Sequence, residues 1–186
     1  MEDLHPPSVN GSTGSKAPCP SGILVDGIFP NAAATRADAD LGPLLDEIST
    51  LSRSAFKEDC ISTKNCSNKS GWRLSILRDA DTGALQGFVI FRCRTDLKCL
   101  SIAKIAVAPE FRRMGLGSKM VSLMAQKGRK QGLEAISLSS LAEAVPFYKK
   151  LGFKVMPDVD TESQLLPGEE LIEGQIYMEK RLHRRK

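Results

Sequence analysis

One segment of the 186-residue chain restricts its fold more than any other. Residues 100–107 are nearly all apolar, Ala108-Pro109 ends the run, and Glu110-Phe111-Arg112-Arg113-Met114-Gly115-Leu116-Gly117-Ser118 leads into a new pattern. From there Leu116, Met120, Leu123, Met124 and Lys127 share one helical face, and Gly132 follows Gln131. A strand with so few polar residues belongs in the interior of a sheet covered on both faces. A stripe of 3.6-residue period is a helix lying on that sheet, and glycine just beyond its end is the expected stop. A central strand therefore turns straight into a helix, which places the chain in the α/β class.

The flanking sequence fills in the rest. A strand is expected over 23–29, then a helix carrying Leu41, Leu44, Leu45, Ile48 and Leu51, with Asp38 or Asp40 as cap and Pro43 in its first turn. Residues 57–70 read as a loop or broken helix. Strands over 72–78 and 85–93 form a hairpin around Asp79-Ala80-Asp81-Thr82-Gly83. Beyond Gly132 a strand over 134–138, a helix over 142–151 stopped by Gly152, a strand over 153–156 and a last strand over 175–180 complete the pattern. Hairpins first and strand–helix–strand later imply a mixed, largely antiparallel α/β sheet with helices on both faces. One domain spans 22–182. Residues 1–21, rich in Pro, Ser, Gly and Asn without periodicity, read as a disordered tail, and 183–186 as a short basic end.

The strand–helix junction carries the chemistry. Glycines 115 and 117 let the main chain turn its N–H groups inward and let an anion approach with no Cβ in the way. A helix start adds unpaired donors and a partial positive charge. Arg112 and Arg113 are placed to offset further phosphate charge. Together these read as a cradle for a diphosphate, against the plainer alternative of a tight turn whose glycines only relieve crowding. A Walker loop is excluded because Gly115-Leu116-Gly117-Ser118-Lys119 lacks its spacing, and a dinucleotide fingerprint because Met120 stands where a third small residue belongs.

About thirty residues on lies Glu143-Ala144-Val145-Pro146-Phe147-Tyr148-Lys149-Lys150-Leu151-Gly152-Phe153. Arg112-Arg113-Met114-Gly115-Leu116-Gly117 resembles the Gln/Arg-x-x-Gly-x-Gly/Ala signature of the GNAT superfamily of N-acetyltransferases. The stretch from Ala144 to Phe153 resembles that superfamily's later Ala-x-x-Phe-Tyr-x-x-x-Gly-Phe segment, and 175–182 looks like its closing strand. The resemblance implies a site for acetyl-CoA between two strands that splay apart. The main chain of Ile105, Ala106 and Val107 would bind the pantetheine arm like an added strand. Amides of Arg113, Met114, Gly115, Leu116, Gly117 and Ser118, with Arg112 beside them, would hold the pyrophosphate. An amine acceptor, small molecule or protein, would attack the thioester directly, with a main-chain N–H near Ala106 or Val107 stabilising the oxyanion. Tyr148 matches the tyrosine that faces the CoA sulfur in many relatives, its other reading being an aromatic that packs the helix on the sheet. Helical spacing has Phe147 take the core while Tyr148 points elsewhere.

The sequence departs from that pattern at the general base. No carboxylate occurs over 97–108, the comparable face offers Ser101 and Lys104, and Leu141 stands where several relatives carry Asn. No base is assigned, and a GNAT-fold module that binds acyl-CoA without turnover is the alternative. The connection 157–174 holds Asp158, Asp160, Glu162, Glu169, Glu170 and Glu173 with no basic residue, so it is either a solvated loop or an attractor for a cationic amine.

Charge and composition narrow the remaining classes. The net charge is +4, yet Lys180, Arg181, Arg184, Arg185 and Lys186 supply five positive charges and leave the remainder at −1. A nucleic-acid groove needs basic residues spread over a folded face, which argues against that partner. No apolar run approaches the roughly 18–20 residues of a membrane helix, and the first residues lack a secretory layout. The cytoplasm, or the nucleus, is the expected compartment. Five cysteines without a CxxC pair read as reduced structural thiols, and no metal site is expected. Monomer and homodimer both remain open.

Overall fold

The computed structural model describes residues 22–28, 41–63, 70–157 and 174–182. The tail 1–21, the candidate caps Asp38 and Asp40, the acidic residues of the 157–174 connection and the basic end 183–186 lie outside the described residues. In chain order the elements are β1 (Gly22–Ile28), α1 (Leu41–Phe56), a single turn α2 (Cys60–Thr63), β2 (Arg73–Asp79), β3 (Leu85–Arg94) and β4 (Cys99–Val107). A 3-10 turn (Pro109–Phe111), α3 (Leu116–Lys130), β5 (Ala135–Ser140), a second 3-10 turn (Ala142–Ala144), α4 (Val145–Lys150), β6 (Lys154–Val155) and β7 (Ile176–Arg181) follow. The helix expected over 142–151 is thus split by a change of winding. The strand expected over 153–156 shrinks to two residues.

The seven strands among the described residues join one sheet in the order β1-β2-β3-β4-β5-β7-β6, with β4 in the middle as its apolar sequence requires. Only β4 and β5 run parallel; every other neighbouring pair is antiparallel. Alternation along β3 assigns the two faces. Phe88 and Ile90 pack with Leu74, Ile76 and the α1 residues Leu44, Ile48 and Leu51. Val89 and Phe91 face the other way, into a cluster with Val121, Met124 and Ala125 of α3. Eight successive residues of β3 are consequently buried, because both of its faces are covered.

Two irregularities shape the middle strand. Ile90 pairs with Lys104 but Phe91 with Ile102, so Ala103 is an extra residue bulged from β4. At the far end Gly87 pairs with Val107, and a Cβ on Gly87 would lie 2.4 Å from the Ala106 carbonyl oxygen and 3.1 Å from the Met120 methyl. A main-chain oxygen within a paired strand has little room to retreat. Gly87→Ala is therefore expected to destabilise the fold by about 1–3 kcal/mol, the usual range for overpacking. Denaturant unfolding checks this, and an unchanged midpoint would show that the close approach is dispensable.

Candidate active site

The β4–β5 pair leaves a gap inside the sheet. Its ladder runs from Cys99↔Ala135 to Ile102↔Leu138 and stops, although β5 stays paired with β7 as far as Ser140↔Ile176. The orientation of the freed groups follows from their neighbours. The Ala108 N–H donates to the Gln86 carbonyl at 3.0 Å, and the Ala106 oxygen lies against Gly87. By strand alternation the main-chain groups of Ile105 and Val107 point the other way, into the gap. Ala106 is turned toward β3 in its main chain, and its side chain lies in the α1 cluster.

At the end of β4 the chain forms a nest. Phe111 and Arg112 donate to Ala108 and Pro109, and helical bonding resumes with the Lys119 N–H on the Gly115 carbonyl at 3.0 Å. Between them, the amides of residues 113–118 have no acceptor among the described residues. Arg113 at φ 64 and Gly115 at φ 81 are both left-handed, which curls consecutive N–H groups toward one side. A non-glycine residue in that conformation is strained by roughly 1–2 kcal/mol, a feature concentrated at functional sites. The Arg112 Nε braces the turn by donating to the Val107 carbonyl at 3.2 Å. Buried Leu116 anchors the helix start. An ideal Cβ at Gly115 would meet nothing within 4 Å, so packing alone does not demand glycine there. Gly117 differs: its Cβ would stand 3.3 Å from the Phe147 ring, which brings the two sequence motifs into contact.

These residues border a groove of about 470 Å³. Ile105, Val107, Arg112, Arg113, Gly115, Leu116, Gly117 and Ser118 line it together with Phe111, Phe147 and Tyr148. Ala106 and Met114, both expected at the cofactor, are not among its lining residues. Met114 is 41% exposed.

A second cavity, of about 370 Å³, lies between the end of α1, the bulged part of β4 and the end of β5. It meets the groove at Ile105 and Tyr148, which line both. Lys104 and Leu141 border it as well, whereas Ser101 sits within the β4–β5 ladder, opposite Ser137. The Lys104 Nζ is 2.8 Å from Glu58 and 5.0 Å from the centre of the Phe56 ring. Nothing in the sequence singled out Phe56, Lys57 or Glu58, because their place beside β4 is set by how α1 crosses the sheet.

The packing expected of Tyr148 and Phe147 is reversed, with Tyr148 the more buried of the two. Tyr148 is 8% exposed and Phe147 38%. The Tyr148 ring stacks edge-on against Phe147 at 5.0 Å and Phe153 at 5.6 Å. Helical spacing separates the two directions but does not say which is inward, and the short α4 starts only at Val145, after the 3-10 turn. Burial pushes the Tyr148 hydroxyl up to about 12. It is therefore a neutral hydrogen-bond donor across the physiological range. Among the described residues no group of three or more His, Cys, Asp or Glu side chains could hold a metal, and no helix is long and apolar enough to cross a membrane.

The pattern that defines the acetyltransferase (GNAT) family matches residues 44–153, more than half of the chain and the whole of the groove-forming region. The chain belongs to the GNAT family. Solved structures agree with the fold this assigns. Tetrahymena GCN5 superposes with a TM-score of 0.66 at 18% identity, over 80% of this chain and 92% of that one. Ard1 from Thermoplasma volcanium gives 0.58 at 18%, over 87% and 98%. A Bacillus subtilis acetyltransferase in complex with CoA gives 0.56 at 19%, over 74% and 93%. No curated protein matches the sequence.

Proposed function

We propose that this protein is an acetyl-CoA-dependent N-acetyltransferase that passes an acetyl group to a primary amine by direct attack. The observation that carries the reading is the run of amides from Arg113 to Ser118, without acceptors among the described residues, at the end of a strand whose own ladder has stopped. Donors in that arrangement suit a diphosphate, and the open stretch of β4 suits an extended amide-bearing arm. The cavity at the far side of Tyr148 gives an acceptor its own entrance. Acetyl-CoA supplies the activated acyl group and a thiol that leaves readily.

The chain's residues divide the remaining work. Ile105 and Val107 would orient the arm through their main-chain groups, and the Val107 N–H is the better oxyanion donor because Ala106 is committed to β3. Tyr148 would donate a hydrogen bond to the departing sulfur rather than surrender its proton. With a hydroxyl near 12 and a thiol near 8.5, full transfer is uphill by roughly 5 kcal/mol. None of the described residues lining the acceptor cavity is a carboxylate or histidine, so no side chain is assigned as base.

The test pairs calorimetry with a thiol-release assay. Acetyl-CoA is expected to bind the folded protein, and CoA to be released only when an amine is present. Absence of binding would sink the reading, whereas binding without release for any amine would favour a non-catalytic acyl-CoA module.

A further inference from the structure

The acceptor cavity has a charge character that the transfer reaction does not require. Its described lining includes two cations, Lys57 and Lys104, and no anion. The rest is mostly apolar, with Phe56, Ile102, Leu138 and Leu141 forming walls and Ser139, Ser140 and Gln175 adding neutral polar groups. The two lysines differ. Lys104 is largely buried, with its side chain 13% exposed, and its charge is met by Glu58. Lys57 is exposed at the mouth and has no acidic partner among the described residues.

The backbone fixes where Lys57 stands. It ends α1 with its N–H donating to the Arg53 carbonyl at 3.0 Å, and its φ of 63 is left-handed. Only Lys57, Lys98 and Arg113 among the described non-glycine residues have positive φ. Arg113 is in the phosphate nest and Lys98 in the β3–β4 turn. Lys57 thus puts a second strained cation at the second cavity, where glycine or asparagine would cap the helix with less strain.

We propose that the acceptor is an amino acid, or an amine of the same layout, whose carboxylate is held at the Lys57 side of this cavity while its apolar side chain lies along Phe56, Leu138 and Leu141 and its amine reaches Ile105 and Tyr148. A cationic acceptor such as a polyamine would meet the Lys57 charge with no counter-charge on the described walls, while Lys104, offset by Glu58, would offer it no attraction. A volume of about 370 Å³ is near the lower end of small-ligand pockets, which suits a single amino acid. The inference rests on the acetyl-transfer reading and narrows its acceptor.

The experiment compares leucine, phenylalanine and methionine with their carboxamides, alongside spermidine and a lysine-containing peptide, by CoA release at saturating acetyl-CoA. The carboxamide keeps the shape and removes the charge. Because a carboxylate holds the neighbouring ammonium protonated, amine basicity works against the expected result. Each free acid is expected to exceed its amide in kcat/KM by about 10- to 100-fold, the effect of one charge-assisted hydrogen bond. In Lys57→Gln the ratio of the two KM values should collapse toward one with kcat little changed, and Lys57→Arg should restore it. Equal or better use of the amides, or turnover confined to spermidine or the peptide, would overturn the proposal. Acetyl-CoA binding with no turnover of any amine, or failure to bind acetyl-CoA, would instead overturn the underlying reading.

Discussion

Tyr148→Phe is expected to lower turnover by about 10²–10³-fold while acetyl-CoA affinity stays within a few-fold, the cost of deleting one donor aimed at developing charge. The substitution is a clean one. The ring, which makes the contacts with Phe147 and Phe153, is retained. The hydroxyl has no partner among the described residues, so its loss leaves no orphaned protein group. The pH dependence separates a hydrogen-bond donor from a titrating acid. A phenol raised to about 12 stays neutral below that value, so the donor is fully present from acid pH to about 11. Any alkaline fall in rate near pH 8–10 must come from another group, and should persist in the variant. Unchanged turnover in Tyr148→Phe would remove the residue from the mechanism. Disappearance of the alkaline limb would mean that Tyr148 ionises far below the value its burial dictates.

Gly115→Val is expected to weaken acetyl-CoA binding by roughly 10²-fold or more, equivalent to one or two lost amide–phosphate bonds of about 1.5–3 kcal/mol each. The reason is conformational. A β-branched residue resists a φ of 81, so the nest relaxes and its N–H groups lose their common direction. Gly132→Val is the matched control. Gly132 has φ 73 and open space around its Cβ position, but it ends α3 instead of starting it. Both variants should lose similar stability, and only the first should lose affinity, as measured by calorimetry beside thermal unfolding. Equal affinities for the two would show that the curled amides do not hold the ligand.

Periodicity served best where one physical rule dominates. The apolar run at 100–107 could only be an interior strand, and the glycines at 115 and 132 bracket α3 as their conformations demand. Rules of that kind are local, which is why the order of elements and the glycine-bearing turn before α3 are readable. The gaps lie where tertiary contact decides. Ala103 has nothing in its neighbourhood to mark a bulge; the offset appears only in the register against Ile90 and Phe91. The inward turn of Tyr148 depends on the 3-10 residues Ala142–Ala144, which reset the phase of the following helix. Lys57 joins the second cavity because α1 crosses β4 there, a relation between residues nearly fifty positions apart.

The interrupted ladder also bears on self-association. Unpaired strand groups usually sit at the rim of a sheet, where a stray chain can add itself and begin aggregation. Here they are set between two strands of the same sheet, with β5 fastened to β7 alongside. A foreign polypeptide bringing its own side chains on both faces would collide with those walls, whereas a slender, unbranched arm would not. Hiding the exposed hydrogen-bonding edge in the interior thus lets the protein keep it permanently open without the hazard that an outer strand of the same chemistry would carry.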